Sequence, residues 1–281
     1  MQIKDIGKME GPILVFGGVY SNFQALEAMY EKATQLGLAP TQIICTGDII
    51  GYCAQPEACI QFIKKWGIHA IAGNVELSIR EEEEDCGCNF NEGSRCDLFS
   101  KQWFPFAQAA LSLDSRKWIA SLPTFLRFSF KEKQVLVLHG SYFNTSEFIF
   151  QSTNWPIKER NFAATSAEVI CAGHCGLPFI DAKEGKTWFN SGVIGMPAND
   201  GTPRVWYGKL SARGGGLHFE ICTLTYDHAL AAQKMQENPL PLSYAKTLVN
   251  GIWDNCEILP ESETKNQGKQ LVEETFNHYQ S

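Results

Sequence analysis

Two periodicities alternate along the chain: short, fully apolar runs of strand length, and longer stretches in which apolar residues recur every three or four positions. Ile13–Phe16 is the first run. Gly17 and Gly18 break it, and Phe23, Leu26, Met29 and Tyr30 then mark one face of a helix that Ser21 or Asn22 can cap. Residues 43–74 read as strand, turn, helix and strand, through IICTGD, IIGYCAQPEACIQFIKKW and IHAIAGN. Both strands of this βαβ unit are expected to end in a polar residue, Asp48 and Asn74, at the carboxyl edge of a sheet, where open α/β sheets place their chemistry.

The acidic stretch Glu81 to Asp85 predicts a solvated helix end, and Gly87 and Gly93 a loop after it. Residues 98–122 are helical in pattern, with Trp103, Phe106, Ala110 and Trp118 on apolar faces. FLRFSF and QVLVLHG form a predicted hairpin about the turn Lys131, Glu132, Lys133. A helix over 154–164 and a buried strand in EVICAGHCG follow, then strands over 187–192, 203–210 and 217–226, with NSGVIGMPANDGTP as a loop. Residues 227–250 look helical with a break near Pro239, and 261–281 are polar, a loose end. The expected organisation is an α/β domain over 1–226 and a helical C-terminal extension over 227–281.

Composition narrows the function. The chain is 44% hydrophobic and 20% charged, an ordinary globular balance for 281 residues. A formal net charge of -7 with scattered Lys and Arg argues against a nucleic-acid binder. No run approaches the roughly 20 apolar residues of a membrane span, and the N-terminal residues lack a signal-peptide core. A cytoplasmic protein with reduced cysteines is expected, its ten thiols acting as buried small hydrophobes or as metal ligands.

Candidate chemistry collects at four predicted strand ends. Asp48, Asn74, His139 and His174 each adjoin a glycine and follow an apolar run. Oxygen and imidazole donors together suit Mn, Fe, Zn or Co better than Ca or Mg. The plainer reading is that each polar residue simply ends its strand.

In that order and at those separations, GD at 47–48, GN at 73–74, HG at 139–140 and GH at 173–174 resemble the calcineurin-like metallophosphoesterases. NSGVIGMPANDGTPRVWYGKL resembles the loop and strand that close the domain in compact bacterial members, the YfcE-like phosphodiesterases and diadenosine-tetraphosphatase-like proteins. The resemblance implies a two-sheet sandwich flanked by helices, with a dinuclear metal centre at the strand ends. It implies Asp48 as the bridging carboxylate, and Asn74, His139 and His174 as the other ligands of the second metal. The first metal's ligands are missing: Gly18 and Tyr20 stand where the family has an aspartate and a histidine, and Gly176 replaces a third histidine. Val75 replaces the histidine that assists the leaving group, while Glu76 keeps that motif's final acid.

Cys53, Cys86, Cys88, Cys96 and Cys175 fall near these positions and are candidates for a second metal or thiol site. Tyr20 and Glu76 are the candidate catalytic groups; the Tyr20 hydroxyl can bond a phosphate, or its ring can fill the emptied site. Two functions stay open. One is a divergent phosphoester hydrolase, with a single divalent transition ion (Mn, Fe or Zn) supplying a hydroxide to a small soluble phosphoester. The other is an inactive descendant that binds a metal, a nucleotide or a partner.

Overall fold

The computed structural model describes residues 3–88 and 90–278; Asn89 of the cysteine loop, the first two residues and the last three lie outside it. Two six-stranded sheets stack face to face with helices on both outer faces. In chain order the first half contains β1 (Ile3–Lys8), β2 (Ile13–Phe16), α1 (Phe23–Gln35), β3 (Ile43–Cys45), α2 (Pro56–Trp66), β4 (His69–Ala70) and α3 (Asn74–Arg80). After them come α4 (Arg95–Ala110), α5 (Leu113–Ser121), the hairpin β5 (Phe125–Phe130) and β6 (Lys133–Val137), α6 (Trp155–Thr165) and β7 (Val169–Ala172). The rest is β8 (Pro178–Lys183), β9 (Lys186–Ser191), β10 (Val205–Arg213), β11 (Gly216–Leu224), α7 (His228–Gln236), α8 (Leu242–Asn250), α9 (Glu261–Thr264) and β12 (Glu274–His278).

One sheet runs β1-β5-β6-β7-β9-β8 and the other β12-β11-β10-β2-β3-β4, each mixing parallel and antiparallel pairs. The two-residue period of each strand sorts its side chains between layers. Ile13 and Val15 of β2 face the inter-sheet core with Phe128, Val137, Phe189 and Trp206. Leu14 and Phe16 face α1 and α2, meeting Leu26, Met29 and Ile60. Both faces are covered, which is why the central strands read as unbroken apolar runs. On the far side, Phe162 of α6 packs with Leu136, Ile170 and Trp188.

Several local expectations need correction. Asn74 does not end a strand; it opens α3, with Gly73 as the N-cap residue. The hairpin turn is two residues, since Lys131 and Glu132 both have positive φ (48° and 65°) and Lys133 already belongs to β6. β1 and β8 were not anticipated, because IKDIGK is polar and PFIDAK is only half apolar. Nor is the polar tail loose: α9 is one turn, and β12 pairs antiparallel with β11 from Leu217 opposite His278 to Ile221 opposite Glu274.

Candidate metal centre

Two strand ends from each sheet meet at one point. β3 leads through Thr46 and Gly47 to Asp48, and β4 to Asn74; from the other sheet, β6 leads to His139 and β7 to His174. All four side chains are buried. His139 Nε2 lies 3.1 Å from Asp48 Oδ2, 3.1 Å from Asn74 Oδ1 and 3.2 Å from His174 Nδ1.

The outward-facing atoms fix what faces in. His139 Nδ1 donates to the Thr46 carbonyl at 2.7 Å, and His174 Nε2 to the Ser146 carbonyl at 3.1 Å. The inward nitrogens of both neutral rings are therefore lone pairs. The Asn74 amide donates to the Cys86 carbonyl at 2.9 Å and the Cys88 sulfur at 3.2 Å, which turns its carbonyl oxygen inward. With both rings neutral, four acceptors converge with no donor among them, an arrangement that suits a cation at its centre. Their spacing suits one, because ligand atoms around a tetrahedral zinc are separated by about 3.3 Å.

The local electrostatics differ between the two rings. Burial pushes His174 down to about 3, and the facing His139 adds to the shift. Burial also disfavours a charged His139, yet the Asp48 carboxylate and the Thr46 bond outweigh it and hold that ring above its ordinary value. Asp48 and His174 both sit in the left-handed region (φ 50° and 62°), strain of the kind that persists where the surroundings over-determine a site. Gly73 is required here, since a Cβ on it would lie 2.1 Å from Asp48 Oδ1.

Glu76 serves as the scaffold of this centre rather than a group facing a reactant. It is fully enclosed and accepts from the backbone N–H groups of Asp48 (2.8 Å), Gly73 (2.8 Å) and Ile50 (3.0 Å). One carboxylate thus ties the Asp48 loop to the start of α3. A carboxylate three residues after an N-cap was the available sequence signal.

The other half of the family's site is filled. A Cβ at Gly18 would lie 2.3 Å from Val193 Cγ1 and 2.7 Å from Tyr20 Cζ, so an aspartate there has no room. Tyr20 is buried, with its ring edge-on to Tyr52 at 4.6 Å. Trp253, from the tail, packs over Gly176. Among the described residues, the group whose His, Cys, Asp or Glu ligand atoms lie within 4.8 Å of one another is Asp48, His139 and His174; no cysteine joins it.

The thiols instead have separate neighbours. Cys53 faces the Gly195 carbonyl, Cys86 and Cys88 back the Asn74 amide, Cys96 meets Asn255, and Cys175 accepts from Asn190 at 3.2 Å. Burial pushes Cys96 up to about 11 and Cys175 to about 12, holding both as thiols. Cys88, Cys96 and Cys175 line the same cavity as Asp48 and His174 without joining their ligand group. Residues that patterning did not single out complete the surroundings: Tyr52, Phe148, Tyr244 and Trp253 line the cavity above Asp48 and His174.

Comparison with known proteins agrees with this fold. The model of the calcineurin-like phosphoesterase superfamily domain matches residues 13–212. An uncharacterised protein of Methanocaldococcus jannaschii is 24% identical over 241 residues, 82% of this chain and 93% of that protein. A metallophosphoesterase from Sphaerobacter thermophilus superposes with a TM-score of 0.66 at 22% identity, covering 87% of this chain and 100% of its own. A hypothetical protein from Pyrococcus horikoshii OT3 gives 0.71 at 19%, covering 86% of this chain and 99% of its own.

Proposed function

The chain belongs to the calcineurin-like phosphoesterase superfamily, and on that premise we propose that it is a one-metal member acting on a small soluble phosphoester. The observation that carries this reading is the convergence of four buried acceptors from two sheets, with two of them, Asp48 and His174, opening onto a cavity. Asp48, Asn74, His139 and His174 would hold the ion, and the mixed oxygen and imidazole set favours Mn, Fe or Zn. A bound ion supplies Lewis-acid activation of a phosphoryl oxygen and of water near neutral pH. Glu76 positions Asp48 and the start of α3. Thr46 and Ser146 keep the two imidazoles in the tautomers that present lone pairs. Among the described residues no helix is long and apolar enough to cross a membrane.

A second reading rests on one specific observation, the filling of the first-metal half by Tyr20 and Val193. Without a second cation to clamp the attacking and leaving oxygens, turnover drops by orders of magnitude, and the fold would serve as a binding protein. Elemental analysis of protein purified without chelator, on the parent and on Asp48→Ala, combined with phosphodiesterase and phosphatase assays of the same samples, separates the two. One ion per chain with turnover, both lost in Asp48→Ala, supports the hydrolase. An ion without turnover selects the binding protein, and neither ion nor turnover sinks the hydrolase and any metal-binding role.

A further inference from the structure

The cavity above the four ligands is built for something flat. It opens to solvent and is continuous with Asp48 and His174. Its walls carry six aromatic rings, those of Tyr20, Tyr52, Phe90, Phe148, Tyr244 and Trp253. Tyr52 stands edge-on to Tyr20 at 4.6 Å and to Tyr244 at 4.9 Å, and Phe148 stacks on His174 at 4.2 Å. The cavity is thus lined by the contacting rings of Tyr20, Tyr52 and Tyr244 and, beside the ligand His174, by Phe148.

Trp253 is a fixed part of that wall. Its indole N–H donates to the Pro197 carbonyl at 2.7 Å, and its backbone N–H donates to Asn199 Oδ1 at 2.8 Å. It packs against Gly176, where the family has a ligand histidine, so the tail has replaced a metal-binding element with an aromatic face. Charge completes the picture. Among the described residues no lysine or arginine lines the cavity; its charged residues are Asp48, at the ligand set, and Asp254, which is paired with Arg95 at 2.5 Å. A chain of phosphates would find no cations along these walls, whereas one phosphate held at the ligand set leaves the remaining space to an uncharged ring.

We propose that this cavity binds the aromatic moiety of a monophosphate ester, a proposal that rests on the one-metal reading of the site below it. The wall formed by Trp253, Tyr244 and Tyr52 then selects for a planar group and against polyphosphates and alkyl esters.

The test is calorimetric titration of the metal-loaded full chain with phenylphosphonate, ethylphosphonate and inorganic tripolyphosphate, which share the phosphoryl anchor; the C–P bonds of the two phosphonates resist hydrolysis, and tripolyphosphate is checked for phosphate release in the same samples. Phenylphosphonate is expected to bind at least about tenfold tighter than ethylphosphonate, and tripolyphosphate no tighter than the ethyl compound. In Trp253→Ala the phenyl-to-ethyl ratio is expected to fall toward one, with Trp253→Phe intermediate. Equal affinities for the two phosphonates in the parent, or a clear preference for tripolyphosphate, overturn the proposal without recourse to any variant. If the chain binds its metal but none of the three anions, the one-metal function fails separately. The cavity is then judged with 2-naphthol: binding that Trp253→Ala removes supports an aromatic site, and no binding overturns it.

Discussion

Glu76 shows how much a single buried carboxylate does for this site. It satisfies three amides that no helix or strand would reach, and two of them belong to Asp48 and to the Gly73 cap of α3. Glu76→Ala strands those donors in a dry interior, at a cost of about 3 kcal/mol or more, while Glu76→Gln keeps one acceptor and costs about half as much. Urea unfolding reads the stability, and metal affinity should weaken by about tenfold or more in both variants, because a displaced supporting group misaligns its ligand. The same residue helps set a pH dependence. Burial and the nearby Asp48 push Glu76 up to about 7, and His139, despite its burial, is held above its ordinary 6.5 by Asp48. Both raised groups stabilise the metal-free fold at low pH and lose that contribution as pH rises through their folded values. His174, depressed to about 3, acts in the opposite sense, but its contribution is complete above its unfolded value of 6.5. In the window above about pH 6.5, where Glu76 completes its titration and His139 begins its own, the metal-free protein should therefore lose stability, while metal affinity rises as His139 gives up its proton. A flat urea midpoint across that window contradicts the assignment. Restoring the family's first-metal ligands should also fail. In Gly18→Asp combined with Tyr20→His, the new side chain meets Val193 on a backbone at φ 50°, so elemental analysis should still find one ion per chain and the melting temperature should drop.

Among the elements, the C-terminal tail changes the molecule most. After α8 the chain crosses the N-terminus of α4, where the Glu257 carboxylate accepts from the N–H groups of Arg95 and Cys96 and Asp254 pairs with Arg95. It places Trp253 over the site, then runs on to β12 along the outer edge of β11. Glu273 and Asn277 add side-chain bonds to Thr223 and His218 across that edge. Deleting residues 273–281 should cost on the order of a few kcal/mol and leave β11 as an open edge. Thermal melting and light scattering would record a lower transition and concentration-dependent association; an unchanged melt would mean that the strand contributes little.

At the scale of the whole molecule the four ligands are a link between layers. Asp48 and Asn74 follow strands of one sheet, His139 and His174 strands of the other, and the apolar core between the sheets holds them in register. A bound ion therefore ties the two halves of the sandwich together. At about a hundredfold excess over its dissociation constant, such an ion adds about 2.7 kcal/mol. For a chain of this length that should raise the melting temperature by about 5 °C or more, reversibly with chelator, and Asp48→Ala should abolish the shift. An equal shift in Asp48→Ala would place the ion elsewhere.

Read alone, the sequence determines the alternating apolar periods, hence the central strands and the helices that cover them, and it determines the four Gly-flanked donors at their ends. These are local or short-range features, set by side-chain chemistry and spacing. It also shows which family ligands are absent at Gly18, Tyr20 and Gly176. Only the tertiary structure decides what replaces them, because that depends on residues distant in sequence: Val193 and Tyr20 in one emptied position, Trp253 at the other. The inward turn of the Asn74 carbonyl rests on Cys86 and Cys88 behind it, and the role of Glu76 on loops from two strands. β1, β8 and β12 lie at or beside sheet edges, where one face meets solvent and little apolar pattern is required; pairing partners, not periodicity, make them strands.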